Sequence, residues 1–349
     1  MPDPPMTHTH GTLLDLGYHG DLGALRAAAR EVDRIGSSAL FVSEAAHDAL
    51  VPLASITHDT TMPIGTSVAI AFGRTPMALA YGAHDLQRLS GGRLLLGLGT
   101  QIAPHITRRF AMPWSKPAER MREYVGALRA IWQAWEEGSR LSFQGDFYEH
   151  TLMPEAFSPG PLEMAPPPIW LAAVGPRMLE VAAEVADGLI VHPLTSTSYL
   201  REVIDPGLGA ARAAAGRTGP FTRSAMALVA TGRTEEELGA SIVTTRRQIA
   251  FYASTPAYLP VLAHHGWDDL HKAARTGMRE GGYADLGALV DDSVLNAFAV
   301  VGEPSQVASE LVSRYAGVDR VTLTLPYQEV GVGSAALQVL AHAARRVPA

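Results

Sequence analysis

The residues of this chain that could do chemistry gather in three short stretches: Glu44-Ala45-Ala46-His47-Asp48, Gly99-Thr100-Gln101 running on to Pro104-His105, and Gly175-Pro176-Arg177-Met178. The first puts a carboxylate and an imidazole in one loop, and an imidazole with a pKa near 6.5 needs little tuning to move a proton at neutral pH. The third has the makings of an anion site. Its glycine permits close backbone approach, the helix expected after it offers unpaired N–H groups, and Arg177 adds a positive charge. The same Gly-Pro pair is also ordinary strand-to-helix turn chemistry.

Several other chemistries are excluded or unsupported. With no cysteine, disulfides, thiolate metal sites and cysteine nucleophiles are impossible. The 13 histidines are scattered, with no H-x-x-x-H or H-E-x-x-H pattern. His8 and His10 flank a threonine with no carboxylate beside them, and His264-His265 are adjacent, which suits a solvated or packing role better than ligation. No G-x-S-x-G elbow occurs. Glu44 and Asp48 share a loop, whereas paired glycosidase carboxyls must flank a bond from separate positions. A net charge of -7 argues against nucleic acid or an anionic membrane as partner. No apolar run approaches the roughly 18 residues of a membrane span. Met1 to Pro5 lacks the basic and apolar regions of a secretory signal. The expectation is a soluble cytoplasmic protein acting on a small molecule.

The elements that must position these stretches alternate. Strands are expected at 13–18, 39–43, 63–71, 93–98, 169–174, 187–191, 224–231 and 318–325. Helices are expected between them: from the Asp21 cap to Gly36, near 49–60, from Thr75-Pro76 to Leu89, and over 117–136, 177–186 and 196–215. A further helix should open at Gly302-Glu303-Pro304 and a last one cover 335–346. Residues 138–167 hold a small hairpin and a proline-rich connector, and 245–295, irregular and helical, read as a second insertion. Eight βα units predict a (β/α)8 TIM barrel over 1–349 as a single domain, and no G-x-G-x-x-G follows the first strand. In such a barrel the three stretches, and His192 after the sixth strand, lie at strand carboxyl ends, where ligands bind. Gly97 and Gly99 in the fourth strand either relieve crowding inside the barrel or admit a ligand.

That fourth strand carries a resemblance. Leu89 to Gly99, LSGGRLLLGLG, resembles the "LSgGRf.lGlG" signature of the bacterial luciferase-like family of flavin- and deazaflavin-dependent oxidoreductases. Gly65 to Val68, Arg120 to Trp132, the hairpin Phe143 to Tyr148, Ile169 to Gly188 and Val301 to Val307 resemble further family landmarks in the right order, over roughly residues 12–330. Pro104-His105, Arg109 and Met112-Pro113-Trp114 resemble the branch that uses coenzyme F420, a 5-deazaflavin.

The resemblance implies a barrel with the ring system in its mouth and hydride transfer between coenzyme F420 and a small organic substrate. It implies a cofactor site at Ser67-Val68, where relatives often hold a non-proline cis peptide, at Gly99, Thr100 and Gln101 facing the ring, and at Gly175, Pro176, Arg177 and Met178 for the phosphate tail. His47, Glu44 and His105 are the candidates for handling the accompanying proton. A homodimer is common among relatives. Two departures weaken the carry-over of the reaction. Sugar-phosphate-oxidising relatives place an Asp-His pair after strand two, where this chain has Glu44-Ala45 with His47 beyond, and their later glutamate aligns near Ile102, beside Gln101. FMN with oxygen, as in a monooxygenase, a non-catalytic flavin-binding protein, and an unrelated sugar-phosphate barrel are the alternatives.

Overall fold

Eight parallel strands close into a ring in the computed structural model of the chain, which describes residues 12–326 and 334–344. They are β1 (Leu13–Tyr18), β2 (Leu40–Val42), β3 (Ile64–Thr66), β4 (Leu94–Gly99), β5 (Ile169–Ala173), β6 (Gly188–Val191), β7 (Thr222–Thr231) and β8 (Arg320–Thr324). Each pairs with its neighbour in this order, and β8 returns to β1 with Leu13 opposite Arg320 and Leu16 opposite Leu323. The fold is the expected (β/α)8 barrel. His8 and His10 lie outside the described residues, as does the end of the expected last helix, of which Ala335–Ala344 is described.

Local chemistry sets the surrounding helices. In α1 (Leu22–Ile35) the Asp21 carboxylate accepts the Ala24 N–H at 3.1 Å, and Gly36 ends the helix at φ 87°, a left-handed conformation that glycine adopts freely. Helix α2 (Leu50–Ile56) is started by Asp48, whose carboxylate accepts from Leu50 and Val51. Helix α3 (Pro76–Leu89) has Thr75 as cap and proline in its first turn. Helices α4 (Pro117–Glu137) and α5 (Pro176–Val185) complete the set that matters for the site.

Strand side chains alternate between two separate cores, as a period of two requires. Leu16, Leu40, Ile64, Leu94, Leu96, Leu98, Ile169, Leu171 and Leu189 face outward and pack with the helices. Ala39, Phe41, Trp170 and Ile190 face inward and, with Val68, Leu95, Ala172 and Met226, fill the barrel. The Phe41 and Trp170 rings lie 5.9 Å apart. Glycines make room for them. A Cβ on Gly65 would sit 2.5 Å from the Phe41 ring, one on Gly188 2.6 Å from Trp170, and one on Gly97 2.0 Å from the Thr66 carbonyl oxygen. Near the seam of β1 and β8, Arg320 grips the fully buried Asp15 at 2.6 and 3.0 Å and lies over the Trp170 ring.

The structure differs from the sequence reading in three places. The third strand breaks after Thr66 at a cis Ser67–Val68 peptide, and a two-residue piece, Ala69–Ile70, resumes pairing against Leu98 and Gly99. The expected helix over 196–215 is in three parts, Thr197–Tyr199, a π-helical turn Leu200–Ile204 and Asp205–Ala214. Residues Ala299–Gly302, read as the lead-in to a helix, form a parallel strand against Leu228 to Thr231. The reason is geometric: β7 runs past β6, which pairs only with Thr222 to Ala225, and the exposed edge is covered by this extra strand.

Gly97→Ala should cost about 3 kcal/mol or more, because the clash is with backbone rather than with a side chain that can turn away. A urea titration that finds Gly97→Ala as stable as the parent would sink this account of the interior. Burial pushes the Asp15 carboxyl up to about 6, against the pull of Arg320. A raised pKa means the folded state holds the proton better than the unfolded one, so this group's stabilisation is complete below 3.8 and is lost as pH rises through about 6. The urea midpoint of the parent should fall over that interval relative to Asp15→Asn.

Candidate active site

The carboxyl ends of β3, β4 and β5 form an apolar floor. Ser67 donates its N–H to the Val42 carbonyl at 2.9 Å, the Ser43 hydroxyl donates to the Ser67 carbonyl at 2.7 Å, and the Glu44 N–H donates to the Val68 carbonyl at 3.2 Å. Those three bonds hold the cis Ser67–Val68 peptide that the resemblance implied against the end of β2. Val68 then lies over the end of β4, where a Cβ on Gly99 would meet its Cγ2 at 2.7 Å. Met226 reaches the Ser67 hydroxyl from the opposite wall at 3.4 Å. The two glycines of β4 therefore differ: Gly97 relieves crowding, and Gly99 lets Val68 seat across the mouth.

Glu44 braces this floor. One carboxylate oxygen accepts the Ile70 N–H at 2.7 Å and the other accepts from Arg74 at 2.5 Å, while Arg74 also reaches Asp48 at 3.3 Å. Burial raises the carboxyl pKa, and the Ile70 N–H and Arg74 oppose that rise. With both oxygens engaged, Glu44 is better placed to hold the segment Ser67 to Ile70 than to exchange protons. The His47 and His105 side chains are exposed and make no hydrogen bond or ring contact among the described residues. His105 opens a π-helical turn, His105–Arg109.

That turn belongs to the long loop after β4. Three non-glycine residues with positive φ, Gln101 (60°), Ala111 (54°) and Lys116 (38°), all fall within it. Such a concentration in one loop marks a shape imposed by its surroundings. Gln101 turns its side chain back to accept the Ile102 N–H at 3.0 Å, and Thr100 donates to the Gln101 carbonyl at 2.9 Å. Arg109 donates to the Ala45 carbonyl at 2.6 Å, which ties this loop to the one carrying Glu44 and His47. Arg120, buried against the Phe72 ring, bonds the Pro113 carbonyl and the Tyr148 hydroxyl and so anchors the loop's far end to the hairpin of residues 143–150.

The α5 end is open. Gly175 takes the N-cap position without any side-chain cap, an added Cβ there would meet nothing within 4 Å, and Pro176 has no N–H to satisfy. Arg177 is exposed beside it and pairs with Glu119 of α4, and Met178 is half-buried. Uncapped N–H groups, an uncrowded glycine and a cation fit a phosphate, and the apolar floor at Val68 and the neighbouring Gly99 fits a flat ring.

The sequence reading named His192 only as a strand end and passed over Tyr258. His192 directly follows Val191, the last residue of β6. Its Nε2 lies 2.8 Å from the Tyr258 hydroxyl. Tyr258 comes from a 3-10 turn, Pro256–Tyr258, in the segment between β7 and β8, whose spacing carried no signal. A second contact joins the same parts: His265 Nε2 lies 2.7 Å from the Ser196 hydroxyl, with the His265 ring stacked on Trp267. The packing role expected for His264-His265 is what the structure shows. Among the described residues no three His, Asp or Glu side chains converge to hold a metal, and no helix is long and apolar enough to cross a membrane.

A family model described as luciferase-like monooxygenase matches residues 5–320. An uncharacterised protein of Mycobacterium tuberculosis is 46% identical over 312 residues, 88% of this chain and 92% of its own length. The 5,10-methylenetetrahydromethanopterin reductase of Archaeoglobus fulgidus is 28% identical over 278 residues, 76% of this chain and 77% of the relative. Among solved structures, the coenzyme F420 dependent tetrahydromethanopterin reductase from Methanopyrus kandleri superposes with a TM-score of 0.75 at 18% identity, covering 95% of this chain and 97% of that one.

The Arg177–Glu119 pair is exposed, and such pairs contribute roughly 0–1 kcal/mol. Glu119→Gln should leave thermal unfolding unchanged while freeing Arg177 to bind inorganic phosphate more tightly. Arg177→Ala should weaken phosphate binding about tenfold, the loss of one charge-assisted bond. An NMR phosphate titration in which Arg177→Ala matches the parent would place the anion elsewhere.

Proposed function

Since the chain belongs to the luciferase-like monooxygenase family, we propose that it is an oxidoreductase that transfers a hydride between coenzyme F420 and a small organic substrate. The observation that carries the reading is the pairing of an uncapped, uncrowded helix start at Gly175 with an apolar floor at Val68 and Gly99. One suits an anionic tail and the other a flat ring, on adjacent strands. The likeness to a fold relative described as coenzyme F420 dependent supports a deazaflavin.

When bound, a 5-deazaflavin supplies two-electron hydride transfer at C5 and reacts little with oxygen. The chain's own residues have three tasks around it. Gly175, Arg177 and Met178 would hold the phosphate tail through backbone N–H groups and charge, with Pro176 fixing the turn. Ser67, Val68 and Gly99 would support the back of the ring, and Glu44 with Arg74 keeps that support in place. Thr100, Gln101 and the pinned loop through Arg109 would line the open edge and keep water from the reacting carbons.

The family's description as monooxygenase favours a second reading, FMN with oxygen. Fluorescence titration of the purified protein with each cofactor separates the two. Coenzyme F420 should bind at least tenfold more tightly than FMN, and the reduced complex should consume no oxygen. Tighter FMN binding with oxygen uptake would establish the monooxygenase instead, and equal weak responses to both would remove the cofactor assignment.

A further inference from the structure

Three candidates at the mouth could handle a proton by residue type, and the structure leaves none of them well placed: Glu44 is locked to Ile70 and Arg74, and the His47 and His105 side chains are exposed without partners among the described residues. One titratable pair stands instead at the carboxyl end of β6. His192 directly follows β6, two residues after Ile190, whose side chain packs with Phe41 and Trp170 in the filling of the barrel. His192 and Tyr258 are each half-buried, and in such a barrel ligands bind at the carboxyl ends of the strands.

The hydrogen bonds set the direction of the pair. The Leu194 N–H donates to His192 Nδ1 at 3.1 Å, so a neutral imidazole must carry its proton on Nε2. Nε2 lies 2.8 Å from the Tyr258 oxygen and so donates to it. The Tyr258 oxygen accepts this bond, which leaves its own O–H as a free donor. Packing holds the arrangement: Tyr258 stacks on His192 with centroids 4.3 Å apart, and the Tyr252 ring meets the imidazole edge-on at 4.6 Å. Burial pushes the imidazole pKa down to about 3 and raises that of the Tyr258 phenol, so both groups are neutral at physiological pH. The turn that carries Tyr258 is itself held to the β6 loop, because Ser196 and His265 bond a few residues away in each segment.

We infer that Tyr258 is the catalytic proton donor, positioned by His192, and that the substrate class is a compound whose carbonyl group is reduced. This deepens the hydride-transfer reading and rests on it. The carbonyl carbon gains a hydride, two electrons and one hydrogen, from the reduced deazaflavin, which is oxidised by two electrons. The carbonyl π bond breaks, and its oxygen takes the proton as the Tyr258 O–H bond breaks and a substrate O–H bond forms. The phenolate left behind is stabilised by the His192 Nε2–H and regains its proton from solvent. His192 keeps its own proton throughout, since Nδ1 is engaged by Leu194. Running backward, the same atoms oxidise an alcohol.

The test has two arms on the full-length protein. Nitrogen-15 NMR of the imidazoles, without cofactor, should show His192 with bare Nδ1 and protonated Nε2 down to pH 5, and Tyr258→Phe should shift the Nε2 signal. A protonated Nδ1, or a His192 that titrates near 6.5, overturns the pair. In the second arm, protein loaded with reduced coenzyme F420 is mixed with acetone, cyclohexanone or benzaldehyde in a single turnover. Tyr258→Phe should bind the cofactor within twofold of the parent yet slow the reduction by about 10²–10⁴-fold and lose the solvent deuterium effect. His192→Gln should fall between the two. Parent-like turnover by Tyr258→Phe overturns the donor, and no turnover of any carbonyl by a parent that binds coenzyme F420 overturns the substrate class. Failure of the parent to bind coenzyme F420 at all would instead remove the cofactor reading, and the NMR arm would still decide the geometry of the pair.

Discussion

The interior of an eight-stranded barrel must be filled by side chains, and here two aromatic rings are among them. Phe41 and Trp170 lie 5.9 Å apart across the barrel, and they fit only because Gly65 and Gly188 present no Cβ to them. Gly97 belongs to the same arrangement, with the Thr66 backbone and Ile190 occupying the space its side chain would need. Close packing of this kind leaves no room for the filling to settle lower, so it sets the height at which the mouth begins. Val68, Ala172 and Met226 rest directly on it.

Above the filling, polar bonds rather than hydrophobic burial shape the site. The backbone around Ser67 and Val68 cannot complete a regular strand ladder, and Ser43, Val42 and Glu44 satisfy its polar groups instead. Arg109, Arg120 and Glu123 do the same for the loop after β4 and for the hairpin, where the Glu123 carboxylate accepts the N–H groups of Asp146, Phe147 and Tyr148. Charged side chains that looked available for chemistry are in several cases supports for irregular backbone. Glu44 is the clearest example: its place in the sequence suits an acid or base, and its place in the fold suits a brace.

The segment between β7 and β8 is the other half of the mouth. It returns its residues to the end of β6 through two bonds, His192 with Tyr258 and Ser196 with His265. It also supplies the added strand Ala299–Gly302 that covers the overhanging edge of β7. This one segment thus protects an edge and brings polar groups to the end of β6.

The sequence by itself determined the alternation of strands and helices, the barrel, the carboxyl-end loops that carry the site, and the family, because each depends on local periodicity, caps and short motifs. Asp21, Gly36 and Thr75-Pro76 mark helix ends by their own chemistry, and the run from Leu89 to Gly99 carries its signature in eleven consecutive positions. It also left Gly97 and Gly99 as equal possibilities, and only the tertiary structure separated them, by placing Thr66 and Ile190 beside one and Val68 beside the other. The break in the third strand, the extra strand after residue 298 and the engagement of Glu44 were decided in the same way, by partners distant in the chain. His192 and Tyr258 are separated by 66 residues, and no local pattern could join them. Contacts of that kind exist only once the barrel closes and brings the ends of its strands to one face.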